Sequence, residues 1–146
     1  MSGLKPYTGR CACGGIQYNC TAEPFAAAHC QCRACQRESG TGHASNIIFP
    51  ASAFTLQGNL KYWSSTADSG NVVSRGFCAH CGSPIASLDS GIPGAVFVRA
   101  GSLDQPERFS PTMIIYAECA QPWDAMHPEL MRFEKNPEGL GPMPAT

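Results

Sequence analysis

The 146-residue sequence has no excess of either charge: ten lysines and arginines face eleven aspartates and glutamates, and no basic run occurs. Without such a run there is no electrostatic footprint for a phosphate backbone, so nucleic acid is not an expected partner. There is also no apolar stretch near the ~18 residues needed to cross a bilayer, and the opening MSGLKPYTGR has none of the apolar character of a secretory leader. No membrane partner is expected, and the expected location is the cytoplasm. The periodicity of long helices is missing, as are internal repeats and a domain linker.

In place of helices, short segments rich in β-branched and aromatic residues recur between Gly, Pro, Ser and Asn clusters. This pattern predicts an all-β domain with short helical turns. Strands are expected at 15–21, 44–49, 54–56, 60–64, 72–77, 85–88, 95–100 and 113–117. One helical turn is expected at 33–38, stopped by Ser39 and Gly40. It would carry Arg33 and Arg37 on one side. A single domain over 1–133 followed by a loose, proline-bearing tail at 134–146 accounts for the length.

Cysteine is the abundant residue of interest, with nine copies. An odd number without a secretion signal argues for metal rather than a disulfide scaffold. Three groups stand out: Cys11-x-Cys13, Cys30-x-Cys32-x-x-Cys35, and Cys78-x-x-Cys81 followed by Gly82. In an extended chain residues i and i+2 share a face with Cα atoms about 6.6 Å apart, the outer edge of disulfide geometry. Sulfurs turned toward one ion about 2.3 Å away fit that spacing with less strain. The Cys78/Cys81 knuckle is a redox motif when alone and half of a zinc site when paired. Cys11 and Cys13 supply the pair, so four thiolates form a closed structural zinc set across a gap of 64 residues.

Cys30, Cys32 and Cys35 then lack an obvious fourth ligand, as in zinc sites that keep one coordination position open. His43, Cys20 or Cys119 could still complete a structural site. His29, next to Cys30 on an extended segment, should face the other way. Cys20 and Cys119 otherwise read as buried small apolar residues, Trp63 and Trp123 as core or rim packing, and Asp104 as a turn former. An ion with three thiolates carries little charge to acidify water, so hydrolysis is disfavoured and an incoming small thiol suits the open corner. The reaction class is addition of a thiol to a carbon electrophile, or the reverse. Two other readings stay open: a non-catalytic zinc-binding module or thiol carrier, and a redox or metal-release switch.

The segments GRCACGGIQY (9–18), CQCRAC (30–35) with Ser39-Gly40, and RGFCAHCGSP (75–84) resemble the glutathione-dependent formaldehyde-activating enzyme family. GNLKYWSS (58–65), AGSLDQP (100–106) and Trp123 extend the likeness over about residues 7–124. The resemblance implies a β-tent fold of coiled sheets organised around two zinc ions. One would be structural on Cys11, Cys13, Cys78 and Cys81, and a second would sit on Cys30, Cys32 and Cys35. It also implies joining of glutathione and formaldehyde into S-(hydroxymethyl)glutathione, a carbon-sulfur lyase activity. Gln31 and Gln36 depart from residues common in that family at these places, and neither is a thiol ligand. His43, Ser64, Ser65 and Arg75 are the candidates to orient a bound ligand.

Overall fold

The computed structural model describes residues 4–137. Eleven strands occur among them: β1 Tyr7–Arg10, β2 Gln17–Cys20, β3 Ala26–Cys30, β4 Ala44–Pro50, β5 Phe54–Gln57, β6 Leu60–Thr66, β7 Val72–Cys78, β8 Pro84–Asp89, β9 Ala95–Arg99, β10 Met113–Ile115 and β11 Met131–Arg132. One helix, α1 Arg33–Ser39, follows β3. The described residues are therefore mainly β with a single short α-helix. Eight of the strands fall where β-branched and aromatic residues predict them. The other three have weak local signals: β1 is a four-residue YTGR, β3 reads AAAHC, and β11 is two residues long.

The strands form a three-stranded sheet in the order β1-β2-β5 and an eight-stranded sheet in the order β11-β10-β3-β4-β9-β8-β7-β6. Pairing is antiparallel except at β10, which runs parallel to both β3 and β11. Period-two alternation gives the large sheet two distinct faces. On one face Ile47, Phe49, Val96 and Val98 join Tyr7, Tyr18 and Ile16 in the main core. The Tyr7 and Phe49 rings stand 5.0 Å apart at 59°, a tilted contact between the sheets. A side chain as fully buried as Phe49 contributes about 1.5–3 kcal/mol by leaving water.

The intervening residues, among them Cys30, Asn46, Val73, Arg75, Phe97 and Arg99, turn to the opposite face and line a cavity. Helix α1 stops where Gly40 takes φ 78° and gives its N–H to Gln36 O at 2.9 Å, a left-handed stop suited to glycine. At the far end, the carbonyls of Glu134 and Lys135 accept the N–H groups of Glu118 at 3.4 Å and Tyr116 at 3.2 Å. The rest of the expected tail, 138–146, lies outside the described residues. No helix among the described residues is long and apolar enough to cross a membrane.

Candidate metal and thiol site

Two groups of cysteines converge. The sulfurs of Cys11, Cys13, Cys78 and Cys81 all lie within 4.8 Å of one another, as do those of Cys30, Cys32 and Cys35. Sulfurs about 2.3 Å from a tetrahedral ion stand about 3.8 Å apart. Cys11 and Cys13 are separated by 3.5 Å and Cys13 and Cys78 by 3.8 Å, so the four-thiol group already has the spacing of such a cage.

Backbone geometry in the four-thiol group aims N–H groups at sulfur. Ile16 N–H points at Cys11 Sγ (3.2 Å), Gly15 N–H at Cys13 Sγ (3.4 Å), and the N–H groups of His80 and Cys81 at Cys78 Sγ (both 3.4 Å). Donors placed in this way stabilise thiolates, the form that binds a metal. The Ser83 hydroxyl beside Cys81 brings that thiol down to about 5. Gly82 closes the knuckle at φ 81°, its N–H on Cys78 O at 2.9 Å. Cys11 and Cys78 are buried while Cys13 and Cys81 are exposed, so the group joins the core to the surface.

The three-thiol group sits at a strand-to-helix junction. Cys30 ends β3, Cys32 caps α1 by accepting Cys35 N–H at 3.3 Å, and Cys35 lies in the first turn. Crowded thiols divide their protons unequally. Hydrogen bonding from Cys30 and then Cys35 brings Cys32 down to about 2, and the hydrogen bond to Cys32 pushes Cys30 up. The positive charge of Arg75 acts on Cys32 in the same downward direction. All three cysteines line a cavity of about 580 Å³ whose wall includes Tyr116 and Cys119. Tyr116 packs against the cysteine group and takes φ 55°. It has the only positive φ outside glycine among the described residues, a conformation that concentrates at binding and catalytic positions.

The structure brings some of the predicted ligand-orienting residues to this cavity and keeps others away. Ser65 and Arg75 line it, with Arg75 Nη1 donating to Ser65 Oγ at 3.3 Å. Ser64, one residue out of phase on β6, instead meets Ser74 Oγ at 2.7 Å and does not line the cavity. His43 is held by Asp124, with Nδ1 at 2.9 and 3.0 Å from its two oxygens, and lines a separate hollow with Arg10 and Thr41. His29 faces away from Cys30, with Nδ1 at 2.9 Å from Ser45 Oγ. Neither histidine belongs to the three-thiol group.

Cys20 is fully buried in the main core, and Cys119 is half-buried. Of the core and rim positions expected for the two tryptophans, the core is excluded: Trp63 is 61% and Trp123 66% exposed. Trp63 lies on β6, the outermost strand of the large sheet, where only one neighbour covers it.

Four residues around the site, Glu38, Asn46, Ser87 and Arg99, were not singled out from sequence. Glu38 on α1 pairs with Arg99 on β9, and Arg99 also reaches Asn46 and Ser87. A polar residue recurring in apolar strands was the available signal, as in ASNIIFP and AVFVR. Gln31 and Gln36 brace the junction from within: Gln36 Nε2 donates to Gln31 O at 2.8 Å and Cys119 O at 3.0 Å, and Gln31 Nε2 to Asp124 Oδ2 at 3.0 Å.

A mainly β chain carrying two converged cysteine groups, one of four thiols and one of three beside a cavity, has two sulfur donor sets capable of coordinating a metal ion. A family model for glutathione-dependent formaldehyde-activating enzymes matches residues 6–119, and the chain belongs to that family. Among solved structures, the chain resembles a crystal structure of a Rhodobacter sphaeroides protein with a TM-score of 0.55 at 21% identity. The match covers 67% of this chain and 88% of that one, and it establishes a shared fold. No curated protein compared with the chain matches it.

Proposed function

We propose that the protein is a zinc-dependent carbon-sulfur lyase that joins a small thiol to a small carbonyl, with glutathione and formaldehyde as the pair the family suggests. The observation that carries this reading is the three-thiol group opening onto a cavity, beside a separate four-thiol group that has its full ligand number. In this reading Cys11, Cys13, Cys78 and Cys81 hold a structural zinc and pin a β-tent arrangement of the two sheets. Cys30, Cys32 and Cys35 hold the second ion, and no histidine closes that site. A zinc bound there supplies a vacant soft position that favours the thiolate form of an incoming thiol.

The chain's own contribution is placement. The junction of β3 and α1 fixes the three sulfurs, and the cavity wall holds the organic part of the thiol while excluding bulk water. In the forward direction the substrate sulfur bonds to the carbonyl carbon, the carbon-oxygen π bond opens, and the thiol proton ends on that oxygen. The reverse reaction returns thiol and carbonyl. A location in the cytoplasm fits nine unpaired cysteines, which a reducing compartment preserves.

Exchange NMR on zinc-loaded protein with formaldehyde and glutathione tests the proposal. Interconversion of free and adduct forms faster than the spontaneous rate is expected, and its loss in Cys35→Ser. Glutathione binding without acceleration would leave a thiol carrier instead, and absence of both would overturn the reading.

A further inference from the structure

The cavity wall beside the thiols carries Arg33, Arg75 and Arg99 against Asp68 and Asp89, and two of these guanidiniums, Arg75 and Arg99, converge on the carboxylate of Glu38. Glu38 receives Arg99 with both oxygens, Nη2 standing 2.7 and 2.9 Å from them, while Nε lies 3.2 Å from Oε1. Arg99 spends its remaining reach on Asn46 Oδ1 (2.8 Å), Phe97 O (3.2 Å) and the Ser87 hydroxyl. It is satisfied by the protein itself.

Arg75 is not. Its Nε stands 3.9 Å from Glu38 Oε1, beyond hydrogen-bond distance, and is buried with no acceptor. Among the described residues its guanidinium makes a single hydrogen bond, to Ser65. The side chains of Arg75, Arg99 and Glu38 are only 11%, 11% and 14% exposed, so water does little to answer the imbalance. Asp68 and Asp89, the carboxylates on the cavity wall, form no ion pair with Arg75. Two guanidiniums thus share one carboxylate. A buried cation with an unfilled donor costs stability unless a ligand completes it.

We propose that Arg75 receives the carboxylate of the thiol substrate, so that the cavity selects small thiols bearing a carboxylate over neutral thiols of the same length. The inference rests on the thiol-binding reading above and specifies its substrate class. A planar guanidinium with free N–H groups matches a carboxylate better than any neutral group of that size. Asp68 and Asp89 on the same wall disfavour a doubly charged phosphate and tolerate a monoanion, more so one that also carries an ammonium.

The test is calorimetric titration of zinc-loaded protein with 3-mercaptopropionate and with 3-mercaptopropan-1-ol, which share a thiol and chain length but differ in charge. Wild-type protein should prefer the acid by about tenfold, the scale of one charge-assisted hydrogen bond. Arg75→Gln should bring the two to parity with zinc content unchanged. Arg75→Lys, which keeps the charge and loses the planar fork, should retain part of the preference. Equal affinities in wild type, or an undiminished preference in Arg75→Gln, would overturn the inference. The wild-type ratio decides it without any variant, should the glutamine form fail to fold. Failure of both thiols to bind would defeat the thiol reading itself, whereas tight binding of the alcohol without preference defeats only the role of Arg75.

Discussion

Cys11, Cys13, Cys78 and Cys81 come from two turns 64 residues apart, whereas Cys30, Cys32 and Cys35 come from one strand-to-helix junction. In the first group Cys11 and Cys78 lie in the main core, so metal binding there joins the β1-β2 end of the small sheet to the end of β7. The second group is presented by elements that already have partners of their own: β3 is paired on both sides, and α1 is anchored through Glu38. An ion in the first position would therefore act on the fold, and under the proposed function an ion in the second would act on whatever enters the cavity. Closing a long loop is where metal binding returns most to stability.

Serine substitution separates the two most strongly. Cys78→Ser should remove binding free energy on the order of 10 kcal/mol from the folded state. That is comparable with the roughly 5–15 kcal/mol by which domains are stable at all, so the variant is expected to lose its cooperative melt. Cys35→Ser should keep a cooperative melt and lose one zinc equivalent. Metal content and thermal unfolding, measured together, check this. Equal damage from both variants would mean that the three-thiol group is structural too.

Graded chelation probes the same contrast without mutation. With three protein ligands against four, the junction group should release its ion first, at constant far-ultraviolet circular dichroism, and the spectrum should change only as the second equivalent leaves. Simultaneous loss of metal and sheet signal from the first equivalent onward would contradict the division of roles.

Glu38→Gln tests whether the junction is anchored as its contacts indicate. The change leaves Arg99 mostly buried without its carboxylate, a loss of about 3–5 kcal/mol in urea unfolding for a broken buried pair. Zinc on the four-thiol group should be unaffected. A loss below about 1 kcal/mol, the scale of an exposed pair, would show that α1 is held by its packing alone.

How much of this was legible beforehand differs between the two regions. Both cysteine groupings could be read from spacing, because Cys-x-Cys and Cys-x-x-Cys-Gly each fix two sulfurs locally, although Cys11 and Cys13 sit on a turn after β1, where Gly14 N–H meets Cys11 O at 3.1 Å, and not on an extended strand. The eight strands with β-branched cores were legible for the same local reason. The alanine-rich β3 was not, since its place depends on β4 and β10 on either side rather than on its own residues. The cavity wall depends on pairing register as well: Arg75 lies opposite Ser87, and Ser87 in turn meets Arg99. No spacing in the sequence announces a charge group assembled from α1, β7 and β9. Ser64 and Ser65 make the point in miniature, for a shift of one residue on β6 decides which of them meets the cavity.

Tyr18 offers the mildest probe, because it links the small sheet to the strand that carries Arg99. Ser102 Oγ donates to Arg99 O at 2.7 Å, so its short 2.6 Å contact with Tyr18 is one in which the phenol donates. Burial pushes Tyr18 up to about 12, against a smaller lowering by Ser102. A raised folded-state value means that the contribution to stability is complete below the unfolded value near 10 and is lost as pH climbs toward 12. Wild-type protein should therefore lose on the order of 2–3 kcal/mol across that window through this group. Tyr18→Phe should cost about 1 kcal/mol at neutral pH, the worth of one hydrogen bond, and flatten the alkaline decline. The two stability curves are then expected to cross near pH 11. Parallel curves would show that the alkaline loss arises elsewhere, the thiols being the next groups to examine. A crossing would assign it to the Tyr18–Ser102 contact that links the small sheet to the end of β9.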